Sequence, residues 1–185
     1  MNFRQFAYRN VVRNFRIYAA FFMASFFSVF VFFIYSMLVF HPEMEQGYLD
    51  GFSMFAMVLA EVILVLFSWF FIFYSMRAFL HARGKEFAVL VQLGMERRQL
   101  SKLIFLETMI IGIASIFVGI LFGYAFSRFF FMIIREILRL PELPLYLSLE
   151  PFVLTLSVFL SAFIVISYIS VILMPDANIM KNLKS

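Results

Sequence analysis

The sequence predicts an all-α polytopic membrane protein with four transmembrane helices and both termini in the cytoplasm. Three observations carry that expectation: an extreme apolar composition, four long charge-poor runs, and a lopsided placement of basic residues. Of the 185 residues, 64% are hydrophobic and 14% charged, against roughly 45–50% and about 25% in an ordinary soluble domain. Mean hydropathy is +0.98, and 29 residues are Phe. A soluble globule of this size would need far more polar surface than 26 charges can cover. Disorder demands the opposite composition.

The first 16 residues precede any long apolar run. On a helical wheel, Phe3, Ala7, Tyr8, Val11 and Phe15 share an arc of about 140°, with Arg9, Arg13 and Arg16 opposite and Arg4 inside the apolar arc. This is the pattern of an interfacial amphipathic helix over 1–16, or of a plain helical extension whose arginines set topology. Runs long enough to cross the hydrocarbon, about 20 helical residues, then follow at 17–40, 51–76, 103–127 and 151–174, with a cytoplasmic tail at 177–185. Arg77 and Arg128 follow the second and third runs. Pro151 suits the start of the fourth and Pro175 its end. No small-x-small site follows the first run, so a cleaved signal peptide is not expected.

Orientation comes from Lys and Arg. Twelve of the 15 lie in the N-terminal segment, the loop between the second and third runs, and the tail, leaving Arg128, Arg135 and Arg139 on the other side. By the positive-inside rule those three segments are cytoplasmic. Headgroup attraction explains the net charge of +4 without nucleic acid, which would need the charges on one face.

Function classes narrow by what is missing. There is no Cys, and the two histidines, His41 and His81, are far apart, so no metal centre is expected. No phosphate-binding loop, nucleophile elbow or paired carboxylate site occurs. The sequence therefore supplies no catalytic residue and calls for no cofactor. Small residues at Ser115, Gly119, Gly123 and Ser127 repeat every fourth position, which marks a helix-packing face and makes the third span the expected centre of the bundle. Ala20, Ala24 and Ser28, and Ser157 and Ser161, offer shorter versions.

Two acids fall inside spans. Glu61 lies about 16 Å into the second, near the midplane, and should face the bundle. It reads either as a proton or ligand contact or as a neutral acid bonded to a nearby Ser, Tyr or backbone group. Glu107 lies five residues past Lys102 and reads as a snorkelling interfacial carboxylate as readily as, with Glu61, a functional intramembrane polar site.

Between the second and third spans, "KEFAVLVQLG" has helical periodicity, with Phe87, Leu90, Val91 and Gly94 on one side. Gly94 is placed as a left-handed cap, and Glu96 opens the next helix. A short amphipathic helix on the cytoplasmic face is either a headgroup anchor or a knob for a soluble partner's groove.

Arg83, Lys85, Glu86, Leu90, Leu93, Gly94, Met95 and Glu107 follow a pattern that resembles the FtsX/MacB-like superfamily of ABC-transporter permeases, except that Glu96 stands where a small capping residue is common. The short first loop and the opening "MNFRQFAYRNVVRNFRIY" narrow the resemblance to the N-terminal four-span part of BceB-type, bacitracin-resistance permeases. The resemblance implies a BceA-like cytoplasmic ATPase that docks on Lys85, Glu86, Phe87, Leu90, Leu93 and Gly94. It also implies handling of a lipid-linked peptide antibiotic or cell-wall precursor lipid in the bacterial cytoplasmic membrane, and signalling to a membrane histidine kinase. The competing expectation is a stand-alone four-helix regulator or a small carrier using Glu61.

Overall fold

The computed structural model describes residues 15–42, 51–138, 146 and 148–172. These form five helices: α1 (Phe15–Val39), α2 (Gly51–Ala82), α3 (Gly84–Gln92), α4 (Arg97–Leu138) and α5 (Glu150–Ile172). There is no strand among the described residues. α1, α2, α4 and α5 are each long and apolar enough to span a bilayer. The interfacial helix expected over 1–16, the tail, and the end of the fourth span at Met174 and Pro175 lie outside the described residues, apart from Phe15 and Arg16 at the start of α1.

Two helices overrun their expected ends. α2 continues past Met76 and Arg77 to Ala82, and α4 continues past Ser127 through Arg128 and Arg135 to Leu138. Charge ends the apolar run but not the backbone hydrogen bonding. Arg is a good helix former, and the first proline after Ser127 is Pro141.

The four long helices run alternately up and down, so α1 and α4 are parallel. α1, rather than the third span, is the centre of the bundle, packing against α4, α2 and α5. The reason is visible along α4. A Cβ at Gly119 would sit 2.7 Å from Val29 Cγ1, and one at Gly123 would sit 2.6 Å from Phe33 Cδ1, so the glycine face is filled by α1's branched and aromatic side chains. Gly112 faces the other way, under the Phe163 ring of α5. Ser157 and Ser161 point out of the bundle and bond Leu154 O and Val158 O of their own helix, so they are not a packing face.

Two apolar clusters fill the interior. The larger, at the end carrying α3, gathers Phe21, Ile72, Met76, Phe79, Phe87, Leu100, Ile104 and Phe163; the smaller, at the far end, gathers Phe33, Met37, Leu38 and Phe131. α2 keeps few side chains inside and presents Phe52, Phe55, Val62, Phe67 and Phe70 outward. An outward face this apolar is stable only against hydrocarbon or other helices.

Candidate functional site

The end of the bundle that carries α3 holds the densest polar chemistry. A single residue, Arg83, joins α2 to α3: its amide donates to Phe79 O at 3.3 Å, and its carbonyl accepts from Glu86 N and Phe87 N. The regular hydrogen bonding is interrupted at this residue, and α3 starts as a separate helix. It finishes with a Schellman arrangement, in which Met95 N donates to Leu90 O (3.1 Å) and Gly94 N to Val91 O (3.0 Å), with Gly94 at φ +92°. α4 opens at Glu96, whose carbonyl accepts from Gln99 N and Leu100 N. The Gln99 side chain accepts from Glu96 N at 3.2 Å, half of a capping box, which offsets the missing small cap residue.

α3 is the one helix of the five whose apolar and polar residues separate clearly onto two faces. Phe87 and Ala88 are buried, and Leu90, Val91 and Met95 pack on the larger cluster. The opposite face presents Lys85, Val89, Gln92, Leu93 and Gly94, with Val89 51% and Leu93 78% exposed. Of the six residues implied as a docking surface, Phe87 is wholly buried: it anchors α3 rather than presenting it. Glu86 is half-buried and paired with Arg83, and Leu90 is partly turned inward. Val89 belongs to the outward face and escaped sequence reasoning, although its position one turn before Leu93 was the available signal.

Beneath α3 lies an ion-pair node. Arg83 is only 4% exposed. Its Nε donates to Glu86 Oε2 at 3.1 Å, and its Nη1 donates to Glu107 Oε2. Glu107 Oε1 in turn accepts from the Tyr18 hydroxyl of α1. The guanidinium carbon also lies 4.9 Å from the Tyr18 ring centroid, 5.4 Å from that of Phe79 and 4.9 Å from that of Phe87. Burial alone would favour loss of the Arg83 proton. The Glu107 carboxylate, the Tyr18 hydroxyl and Glu86 outweigh it, so the guanidinium is held more firmly protonated than usual. Glu107 is thus a paired, half-buried carboxylate rather than a snorkelling one. The node ties α1, α3 and α4 together, and a buried pair of this kind fixes geometry more than it adds stability. Tyr18 was invisible in the sequence because its partner lies 89 residues away.

Alongside the node, Thr108 Oγ1 and Ser167 Oγ share a hydrogen bond of 2.9 Å that pins α4 to α5. At the far end, the Tyr146 hydroxyl donates to Met37 O at 2.6 Å, and the His41 ring packs edge-on against Phe131 and Tyr146.

Glu61 does not join Glu107. It is 8% exposed and faces α1, where Ser36 lies against its carboxyl. Ser36 is three residues from the end of α1, so Glu61 sits about 5 Å of helix rise from the level of that end, and ten residues into α2. α2 begins well beyond the point where α1 stops: the Tyr35 hydroxyl reaches Met57 O, already nearly two turns into α2.

Comparison with known proteins agrees with this architecture. The family model for the FtsX-like permease C-terminal matches residues 58–178. The ABC transporter permease protein YxdM of Bacillus subtilis (strain 168) is 41% identical over 184 residues, covering all of this chain and 30% of the relative. Permease YvcS of the same organism is 38% identical over 167 residues, covering 88% of this chain and 26% of the relative. The bacitracin export permease protein BceB, also from B. subtilis, is 26% identical over 167 residues, covering 90% of this chain and 26% of that protein. The chain thus spans less than a third of the length of the curated relatives it matches. With four apolar spans and a family model matched over most of its length, the chain is a multi-pass cell-membrane protein that belongs to the FtsX-like permease family.

Proposed function

We propose that this four-span unit couples ATP hydrolysis in a separate cytoplasmic subunit, of the BceA type, to movement of the spans. In this reading the α3 end faces the cytoplasm, in line with the clustering of Lys and Arg there. The single observation that carries the reading is the two-faced α3. Its inner face is locked to the bundle by Phe87 and Arg83, while its outer face leaves Val89 and Leu93 uncovered amid Lys85, Glu96, Arg97 and Arg98. A headgroup anchor needs only the apolar residues; it does not need a buried ion pair linking the helix to two spans. Force applied to α3 would pass through Arg83 and Glu107 into α4 and through Tyr18 into α1.

The substrate side of the proposal is a lipid-linked peptide antibiotic or a precursor lipid, supported by relatives named for bacitracin export. A histidine kinase partner rests on the family resemblance alone.

The test is co-purification of the ATPase with the full-length permease. Val89→Asp with Leu93→Asp should abolish capture while leaving the permease folded. Undiminished capture by that variant would refute α3 as the docking element.

A further inference from the structure

A seam runs down the outside of the bundle where α4 meets α5, and two hollows lie along it. The one nearer the α3 end, about 380 Å³, is lined by Ser101, Lys102, Phe105, Leu106 and Tyr168. The other, about 570 Å³, is lined wholly by apolar and aromatic side chains, among them Ile113, Ile120, Tyr124 and Leu156. Both open on the same side. Lys102 and Leu106 from the first hollow, and Ile113, Ile120 and Tyr124 from the second, share an arc of about 40° on α4. That arc lies about 100° or more round the helix from Ser115 and Gly119, which face α1.

The seam has a cationic end and an apolar length. Lys102 is exposed and takes part in no ion pair with a described residue. Arg98, also exposed, lies one turn nearer the helix start on the same side. The nearest acids along α4, Glu96 and Glu107, lie about 120–140° away round the helix, and Glu107 is already engaged by Arg83 and Tyr18. The Lys102 stem lines the hollow, as a lysine does when its methylenes cover apolar surface and its ammonium reaches the polar layer. Tyr168, 64% exposed, sets an aromatic ring at that level, where membrane interfaces favour one. From Lys102 to Ile113, α4 rises about 16 Å, about half of a 30 Å hydrocarbon core. One leaflet therefore separates the cationic end from the second hollow.

We propose that this seam binds one anionic phospholipid of the leaflet at the α3 end, with its phosphate against Lys102 and Arg98 and an acyl chain running past Leu106 to the hollow at Ile113. Charge selects the headgroup. Two cations with no acid on that side of α4 favour a net negative head over a zwitterionic one, whose own ammonium they would repel. Shape selects the place. A concave seam surrounds a chain on two sides and gives it contacts that a convex helix face does not offer. The site is separate from the outward face of α3 and stands whether or not an ATPase docks there.

The experiment titrates the full-length permease in detergent with phosphatidylglycerol and with phosphatidylcholine of the same chains, counting bound lipids by native mass spectrometry. The expected result is a saturable phosphatidylglycerol site that prefers this lipid over phosphatidylcholine by about fivefold or more. Lys102→Gln should reduce that preference about fivefold. Leu106→Trp, which fills the first hollow from an exposed position, should weaken both lipids, and it decides the matter if the Gln variant does not fold. Arg128→Gln, at the far end, should keep the preference. Equal binding of the two lipids by the wild type overturns the proposal, as does no saturable binding, the seam then being covered by another span of the permease. A preference that survives both seam substitutions, or that falls as far with Arg128→Gln as with Lys102→Gln, overturns it too, because attraction then comes from elsewhere or from net charge alone.

Discussion

Replacing Glu107 by Gln tests the node under α3 most directly. The substitution keeps the shape and the hydrogen-bonding reach to Tyr18 but removes the charge that faces Arg83. Taking away one partner of a buried pair costs about 3–5 kcal/mol, because the remaining charge is stranded. Here the loss is cushioned. Arg83 keeps Glu86 at 3.1 Å, and its guanidinium still lies over Tyr18, Phe79 and Phe87, contacts worth about 0.5–2 kcal/mol apiece. A destabilisation of about 2–3 kcal/mol is therefore expected. Equilibrium unfolding of the full-length permease in mixed micelles would measure it. Arg83→Gln and the double variant complete a cycle whose coupling should be at least about 1.5 kcal/mol. A Glu107→Gln cost below about 0.5 kcal/mol, or strictly additive single effects, would show that the ion pair does not hold α3 to α4.

Four other substitutions probe how α3 is held, how it docks and how the helices pack. Phe87→Ala should cost about 3–5 kcal/mol of stability, whereas Val89→Ala should change stability by no more than about 0.5 kcal/mol yet weaken ATPase capture; reversed outcomes in unfolding and pull-down assays would invert the faces assigned to α3. Gly94→Ala meets no neighbouring atom, but φ +92° is a backbone state that L residues resist, so a cost of about 1–2 kcal/mol should appear as a lower unfolding midpoint. Gly119→Ala drives a methyl to within 2.7 Å of Val29 and should cost about 1–3 kcal/mol, recovered in part by Val29→Ala in the same chain.

Much of this architecture is legible in one dimension. Hydropathy alone locates the four spans, because each must be apolar on nearly every face to sit in lipid. The short helix before Gly94 shows itself by being the one place where apolar and polar residues separate. What sequence cannot convey is the offset between helices. Arg83 and Glu107 are both visible as charges, but only the packing of α4 beside α1 brings Glu107 against Tyr18 and so turns an apparent surface acid into a buried partner. The same offset is what sets Glu61 beside Ser36, a pairing that no spacing in the sequence announces. Helix ends fail for a simpler reason: Arg77 and Arg128 read as boundaries, while backbone hydrogen bonding runs straight through both.

The length of α4 has a mechanical consequence. Its 42 residues form one uninterrupted helix, about 63 Å long, and Gly123 sits level with Phe33 of α1, so its last nine or so residues project about 13 Å beyond the end of α1. Glu107, the fulcrum at which Arg83 grips it, lies about 46 Å from that tip. A tilt of about 5° imposed there would sweep Leu138 through about 4 Å. In the proposed coupling α4 would serve as a lever arm, a small rotation at the α3 end becoming a larger displacement at its far tip.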